Sequence, residues 1–154
     1  MTLRSVGSAV LATVLLLAMS AERWVRAQST PVAGGTLHVT VVGVHSDQGR
    51  VGCALFSSAD GYPTDSSKAA QRMFAPIKDG NASCDFSALA AGRYAVSVFH
   101  DVDSSGKLKT SFLGIPREET GASNDARGAM GPPKFADAAF DFDGGQGEMT
   151  IHAH

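Results

Sequence analysis

The chain has 154 residues, of which 18% are charged, with a mean hydropathy of +0.00 and a formal net charge of −2. The first 27 residues contain three of the thirteen Lys and Arg and one of the fifteen Asp and Glu. The remainder has ten basic and fourteen acidic residues, and therefore a net charge of −4. Dispersed, mildly acidic charge offers no basic cluster for phosphate backbones or anionic lipid. The composition therefore argues against nucleic acid or a membrane surface as partners, and predicts a globular domain.

Residues 1–27 have the pattern of a secretory signal peptide. A basic residue precedes an apolar run of eleven residues, which is shorter than the roughly 20 needed to span a bilayer. Small residues in Val25-Arg-Ala27 predict cleavage before Gln28, and cleavage after Ala21 is the alternative. An uncleaved N-terminal anchor is disfavoured by the length of the run. We expect residues 28–154 to be one exported domain, periplasmic or secreted, without stable membrane insertion.

Cys53 and Cys84 are the two cysteines of the chain. In an oxidising compartment such a pair predicts a disulfide. The competing interpretation is two buried free thiols on neighbouring strands. A catalytic cysteine is disfavoured because neither lies in a glycine-rich turn or at the start of a helix.

Short segments of alternating polarity predict an all-β fold with six or seven strands. They lie at 35–44, 50–56, 82–86, 93–100, 137–142 and 148–152, with a further short one at 107–112. One short helix is predicted over 68–73, capped by Asp65 or Ser66 and ended by Pro76. This pattern favours a single antiparallel Greek-key β-sandwich, immunoglobulin-like or prealbumin-like, with a long ordered loop.

Tyr94 follows an apolar residue and a glycine turn, in the segment Leu89-Ala-Ala-Gly92-Arg-Tyr94. This order resembles the tyrosine corner of Greek-key sandwiches, in which the hydroxyl bonds back to the backbone. It is also similar to a strand-turn motif of transthyretin-like domains. The alternative is a tyrosine that packs only by its ring.

The second half of the chain carries a specific series of motifs. They are GRYAVSVFHD at 92–101, GKL at 106–108, GIPRE at 114–118, Gly121, SN at 123–124 and GPPKF at 131–135. In order and spacing this series resembles the exported bacterial family catalogued as domain of unknown function 2141. The resemblance covers nearly all of residues 28–154. It implies an exported β-sandwich with no assigned activity.

The turn after His100 suggests a cation site. Asp101, Asp103 and Ser105, followed by glycine, match the first half of a calcium loop. In the family this turn usually ends in an acid, whereas here Lys109 takes that place, and Phe112 stands where a calcium loop has its bidentate Glu. We favour a turn stabilised by local hydrogen bonds over a calcium site, and predict no cofactor.

His100 is the main candidate for chemistry. With Asp101 or Glu118 it could form an acid–base pair near neutral pH. The other interpretation is that its two ring nitrogens hold loop carbonyls of residues 101–135 in place. We favour the second, because no nucleophile with a recognisable local motif accompanies the histidine.

The leading hypothesis is a non-enzymatic binding module whose loops at 100–135 form a platform for an unknown protein, small molecule or envelope component. The residues predicted to bind are His100, Asp101, Glu118, Ser123, Asn124, Pro132 and Pro133. The alternatives are a hydrolase that uses His100 with Asp101 or Glu118, and a calcium-stabilised structural domain. His152 and His154 could make a metal pair, but two ligands at a chain end are better explained as surface residues.

Overall fold

A computed structural model describes residues 34–113 and 115–154. The predicted signal peptide and its cleavage site lie outside these residues. Within the described ranges, no helix has both the length and the apolar character needed to cross a membrane.

The described residues form eight β-strands and one short α-helix, so the all-β prediction is confirmed with more strands than the six or seven expected. The strands are β1 (Gly35–Val42), β2 (Arg50–Phe56), β3 (Gln71–Pro76), β4 (Ala82–Leu89), β5 (Gly92–Asp101), β6 (Thr120–Ala122), β7 (Phe140–Phe142) and β8 (Gln146–His152). The helix α1 covers Phe135–Ala138, and two 3-10 turns lie at Ser66–Lys68 and Ser123–Asp125.

Two sheets pack face to face as a sandwich. One has the strand order β4-β1-β8, and the other has the order β3-β2-β5-β6, with β7 also paired to β5. Alternation of apolar residues along β1 buries every second side chain, as expected for a strand with one face on a core. All the strand pairs are antiparallel except β1 and β8, which run parallel. Parallel neighbours need a long crossover, and here the whole second sheet lies between them in the chain.

The disulfide joins Cys53 on β2 to Cys84 on β4, and so links the two sheets through the core. Both residues are almost fully buried, and their Cα atoms are 6.6 Å apart. The predicted disulfide is confirmed. The alternative of free thiols on neighbouring strands does not hold.

The segment between β2 and β4 differs from its prediction. The helix expected over 68–73 is replaced by the 3-10 turn Ser66–Lys68 and by β3. The Asp65 side chain does cap the turn, since it accepts from the backbone N–H of Ser67. A helix of one or two turns is marginal by itself, whereas β3 pairs with β2 along its length. Tertiary pairing therefore decides the structure.

Three other boundaries also differ. The strand expected over 107–112 is reduced to an isolated bridge between Thr110 and Pro116. The strand expected over 137–142 begins as α1 and is extended only in β7. Strand β6 was not predicted, because a three-residue strand around Gly121 shows no alternation. A Cβ atom at Gly121 would lie 2.7 Å from the Ile151 side chain, so glycine allows the two sheets to approach closely here.

The tyrosine corner is present at the start of β5. The Tyr94 hydroxyl donates a hydrogen bond to the carbonyl oxygen of Ala90 at 3.1 Å. The Tyr94 ring also packs edge-on against Phe142 of β7. The corner thus fixes the chain where it enters the strand that carries the candidate site.

Candidate functional site

The region predicted as one platform, residues 100–135, is divided by β6 into two connections that both attach to β5. The first is the 102–119 loop, which joins β5 to β6. The second is the 123–139 segment, which contains α1 and joins β6 to β7. We describe the anchors of each connection in turn.

Asp101 ends β5 and is fully buried. Its Oδ2 accepts a hydrogen bond from Arg50 Nε at 3.0 Å and another from the backbone N–H of Gly106 at 2.8 Å. Its Oδ1 accepts from the Ser105 hydroxyl at 3.3 Å, and Arg50 also donates to the Ser104 carbonyl at 3.0 Å. The buried carboxylate therefore holds the start of the 102–119 loop in a closed turn.

Asp103 lies in the same turn but is exposed. Lys109 Nζ is 2.8 Å from Asp103 Oδ2, and the hydrogen bonds from Lys109 and then Ser105 lower the pKa of Asp103 to about 2. The same contact raises the pKa of the Lys109 ammonium.

The two carboxylates of the suggested calcium loop thus already contact cationic side chains. Arg50 lies against Asp101 and Lys109 lies against Asp103, so a bound cation would have to displace both. Among the residues that the structure describes, no group of three or more His, Cys, Asp or Glu side chains is arranged to hold a metal ion.

Glu118 closes the far end of the loop. Its two carboxylate oxygens accept hydrogen bonds from backbone N–H groups, Oε1 from Val102 at 3.4 Å and Oε2 from Lys109 at 3.0 Å. A backbone bond from Arg117 to the Lys109 carbonyl, at 2.9 Å, runs beside them. Glu118 therefore links two parts of the loop. The hydrogen bonds of its side chain are with backbone groups, not with His100.

His100 is 2% exposed, and both of its ring nitrogens are engaged. Nε2 lies 2.7 Å from the Gln48 carbonyl oxygen, and Nδ1 lies 2.8 Å from Glu119 Oε2. The carboxylate that contacts His100 is thus Glu119, neither Asp101 nor Glu118 as the acid–base hypothesis supposed. A carbonyl only accepts, so Nε2 must carry a proton, and a charged Glu119 requires a proton on Nδ1 as well. The geometry therefore favours imidazolium with carboxylate.

The pKa values of this pair agree with that geometry. Desolvation lowers the pKa of His100, but the hydrogen bond to Gln48 and the contact with Glu119 outweigh it, so the pKa is raised. Desolvation likewise raises the pKa of Glu119, but hydrogen bonds, that from His100 first, outweigh it and the pKa is lowered. Each partner therefore favours the charged form of the other.

Glu119 also contacts a second histidine. Nδ1 of His45 lies 2.8 Å from Glu119 Oε1, and the His45 side chain is 77% exposed. Glu119 is therefore bracketed by one buried and one exposed imidazole. Sequence reasoning missed Glu119 and His45, since no local motif relates positions so far apart in the chain.

Arg50 is the missed residue that a sequence signal could have identified. In the β2–β5 pairing Arg50 lies directly opposite Asp101, and Val51 lies opposite His100. Had the two strands been paired through their apolar alternation, the single basic residue at the start of β2 would have been placed against the buried acid. The same pairing also brings the segment before β2, which contains Gln48, close to His100.

The 123–139 segment is attached to β5 by neutral groups. The buried Ser123 hydroxyl accepts from the backbone N–H of Val96 at 2.9 Å and donates to the Ala138 carbonyl at 2.6 Å. The Asn124 side-chain amide donates to the Ala139 carbonyl at 3.0 Å. Asn124 has a φ of 60°, which is a conformation that asparagine tolerates better than most residues. Both residues thus bind backbone carbonyls at the C-terminal end of α1.

The remaining predicted residues lie at the surface. Pro132 is exposed and Pro133 is half-buried in the turn before α1. Beside β6, His152 Nδ1 lies 2.8 Å from Asp125 Oδ2, and His154 Nδ1 contacts the His152 carbonyl. The two histidines thus have separate partners, which fits the surface interpretation.

The 102–119 loop ends in an apolar tip, which we define as Phe112, Leu113 and Ile115. Their exposed fractions are 94%, 68% and 60%. Below the tip, the Ser111 N–H donates to the Ile115 carbonyl at 2.8 Å, and the Ile115 N–H donates to the Ser111 hydroxyl at 3.2 Å. From the sequence, Phe112 was expected to end a short strand and to stand in the place of a calcium ligand.

These features define a class of protein, a disulfide-linked β-sandwich domain whose central strand carries two anchored loops. The family model of an uncharacterized protein conserved in bacteria, DUF2141, matches residues 39–150. The chain belongs to this family, as the motif series in its second half indicated. No curated protein and no solved structure gives a significant match.

Proposed function

We propose that this protein is an exported, non-enzymatic binding module, and that the 102–119 loop is its contact surface for a protein, small-molecule or envelope partner. The observation that carries the proposal is the apolar tip, in which Phe112, Leu113 and Ile115 are all largely exposed. Exposed large apolar side chains occur singly on many surfaces, but adjacent ones mark interaction sites.

The anchoring of the loop supports the same function. Asp101 and Glu118 together fix both ends of the loop through hydrogen bonds to its backbone. A loop that is ordered before binding loses less conformational entropy when a partner binds. Rigid sandwiches often present their binding residues on such loops. Of the polar residues predicted to bind, His100, Asp101 and Glu118 then act by holding the loop, and the tip makes the contact.

Export is supported by two independent features. The disulfide between Cys53 and Cys84 is of the kind that persists in oxidising compartments and is rare in the cytosol. Residues 1–27 have the composition of a signal peptide. Measurement of the N-terminal residue of the exported protein would test the expected cleavage before Gln28.

A pull-down with a matched control tests the binding function. The purified domain is immobilised and exposed to envelope extracts, in parallel with a variant that carries Phe112→Ser, Leu113→Ser and Ile115→Ser. Met130→Ser is the control, because Met130 is a fully exposed apolar residue of the 123–139 segment. We expect the control to retain the partner and the triple variant to lose it.

The proposal is contradicted if wild type retains nothing, or if the triple variant retains the same components in the same amounts. Circular dichroism and the presence of the disulfide establish that each variant is folded. These checks separate a lost contact from a lost fold.

A second candidate function is acid–base chemistry of a hydrolase type at His45 and Glu119. The exposed His45 imidazole is oriented through Nδ1 by the carboxylate, an arrangement that leaves Nε2 facing away from its partner and suits a general base. His100 is too deeply buried to meet a substrate directly. A hydrolase substrate screen with wild type and His45→Ala tests this candidate. It requires that wild type turns over a substrate, and that His45→Ala abolishes turnover without loss of stability.

A further inference from the structure

We infer that the partner of the 102–119 loop is an anionic lipid surface, on which the apolar tip enters the interface while basic residues at its base contact headgroups. This inference rests on the proposed binding function and specifies the chemistry of the partner. It concerns peripheral docking by a loop and does not involve a membrane-spanning segment.

Three basic residues lie close to the apolar tip in sequence. Residues 107–117 contain Lys107, Lys109 and Arg117 and no acidic residue, whereas the rest of residues 28–154 carries seven basic residues against fourteen acidic ones. Residues 107–117 thus carry a charge of +3, although the 102–119 loop as a whole is neutral, because Asp103, Glu118 and Glu119 lie outside that stretch. The composition argued against a membrane surface because it averages over these two regions.

Two of the three cations are available to an external anion. Lys109 pairs with Asp103 at 2.8 Å. Lys107 and Arg117 are exposed, and neither has an ion-pair partner within the described part of the chain. They flank the tip on both sides in sequence. Basic residues close to an anionic leaflet are attracted to it individually.

Four backbone N–H groups around the tip are paired within the loop. The N–H groups of Lys109, Ser111, Ile115 and Arg117 all donate to acceptors within the loop. In lipid every backbone polar group must find its partner inside the protein. A loop that satisfies these donors before docking loses fewer hydrogen bonds to water when it enters the interface.

The shape of the contact favours lipid over a folded protein. The tip side chains are 60% to 94% exposed, so they stand away from the body of the domain. A projecting wedge needs a deformable apolar layer or a matching pocket, and the adjacent cations match a diffuse anionic surface better than a pocket. We therefore choose the lipid surface, and treat a protein or a second copy as outcomes of the test.

Vesicle flotation with the disulfide-bonded domain, residues 28–154, tests this inference. The probes are vesicles of phosphatidylglycerol with phosphatidylcholine, and vesicles of phosphatidylcholine alone. We expect binding to the anionic vesicles that weakens between about 0.02 M and about 0.5 M salt, because added ions screen exposed charges. Binding to the neutral vesicles should be much weaker.

Two sets of substitutions separate the contribution of the apolar tip to vesicle binding from that of the basic residues. Phe112→Ser with Leu113→Ser and Ile115→Ser should weaken binding by at least about tenfold at every salt concentration, since it removes apolar contact. Lys107→Gln with Arg117→Gln should weaken binding at low salt by about fivefold for each cation and reduce the salt dependence. Met130→Ser should bind as wild type does.

Four results would overturn the inference. The first is a folded wild-type domain that stays in solution with anionic vesicles at low salt. The second is vesicle binding that neither set of substitutions weakens. The third is a tip-dependent dimer seen by sedimentation, without vesicle binding, which would assign the tip to a second copy. The fourth is a protein partner that binds through the tip, without vesicle binding. This result would reject the lipid surface but would leave the proposed function standing.

Discussion

The 102–119 loop and the 123–139 segment attach to the same strand, β5, by different chemistry. Ionisable groups hold the first, with Asp101 against Arg50 at one end and His100 against Glu119 at the other. Neutral groups attach the second to β5, through the Ser123 hydroxyl, and its contact between ionisable groups, Asp125 with His152, is with β8. The attachment of the loop to β5 should therefore respond to pH and to loss of charge, whereas that of the segment to β5 should respond only to loss of hydrogen bonds.

The difference also has a physical rationale. An ion pair in a partly dry site gives strong, directional contacts, but it needs both partners, because either charge alone is unfavourable there. A hydroxyl that both accepts and donates serves two buried backbone groups without any charge. The loop that carries the exposed apolar tip is thus fixed by the stronger and more condition-dependent kind of anchor.

Removal of the disulfide should have the largest effect and should affect both connections alike. Cys53→Ala with Cys84→Ala opens a link between residues 31 apart, and a link of that length stabilises by about 3–4 kcal/mol in the chain-entropy model. Because the bond joins the two sheets, we expect amide exchange to accelerate in the loop and in the segment together. Acceleration confined to one of them would show that they do not share one cooperative scaffold. Denaturant unfolding gives the free energy.

Asp101→Ala should have the second-largest effect on the free energy of unfolding, and it should release only the 102–119 loop. Loss of one partner of a buried ion pair costs about 3–5 kcal/mol, and because Arg50 is 32% exposed we expect a lower value, about 2–3 kcal/mol. Limited proteolysis should then cut within the loop and spare the 123–139 segment.

The matched control for Asp101 is the exposed pair of Arg93 and Asp141, which are 3.5 Å apart and mostly in water. Asp141→Ala should change the free energy of unfolding by no more than about 1 kcal/mol. Equal effects of the two substitutions would mean that burial of Asp101 adds nothing to its contribution.

Ser123→Ala should release the 123–139 segment. The loss of free energy of unfolding should be smaller than for Asp101→Ala. The substitution leaves the N–H of Val96 and the carbonyl of Ala138 without their partner in a buried place, which costs about 1–3 kcal/mol. The loss should be the same from about pH 5 to about pH 8, because no group of this anchor titrates there. Ser46→Ala is the control, since the Ser46 hydroxyl makes one exposed hydrogen bond. A loss that varies with pH would break the distinction between the two anchors.

The sequence predicted the sandwich and the disulfide because both depend on local signals. Alternating apolar residues define β1, β2 and β5 wherever they occur, and the two cysteines had one pairing available. Tyr94 was correctly assigned a backbone hydrogen bond for the same reason, since its glycine turn is adjacent. Strand β3 was missed because its conformation depends on pairing with β2.

The candidate site was only partly predictable. His100 and Asp101 were identified because they end the strongest predicted strand, but their partners Glu119, Gln48 and Arg50 come from other elements. These contacts depend on strand register and on how the loop folds back, which a single sequence does not specify. The apolar tip was visible as Phe112-Leu113-Gly-Ile115. Its exposure required the structure, because an apolar triplet is more often buried.

The pH dependence of the His100 anchor is the smallest of the four effects, because desolvation opposes the hydrogen bonds at both partners. The pKa of His100 is raised above 6.5 in the folded state. Its contribution to stability is therefore complete below pH 6.5 and is lost as the pH rises through the folded pKa. The pKa of Glu119 is lowered below 4.5, so its contribution is complete above pH 4.5 and is lost as the pH falls. Together they stabilise the fold most between these two values.

The measurement compares the free energy of unfolding of wild type with that of His100→Gln at several pH values. The difference should be largest between about pH 5 and about pH 6.5 and should shrink toward about pH 8. His45→Ala controls for the other imidazole on Glu119, which is exposed and should give a smaller difference. A difference that stays constant, or that grows as His100 loses its proton, would contradict the imidazolium–carboxylate pair. The loop would then be anchored by neutral hydrogen bonds, as the 123–139 segment is.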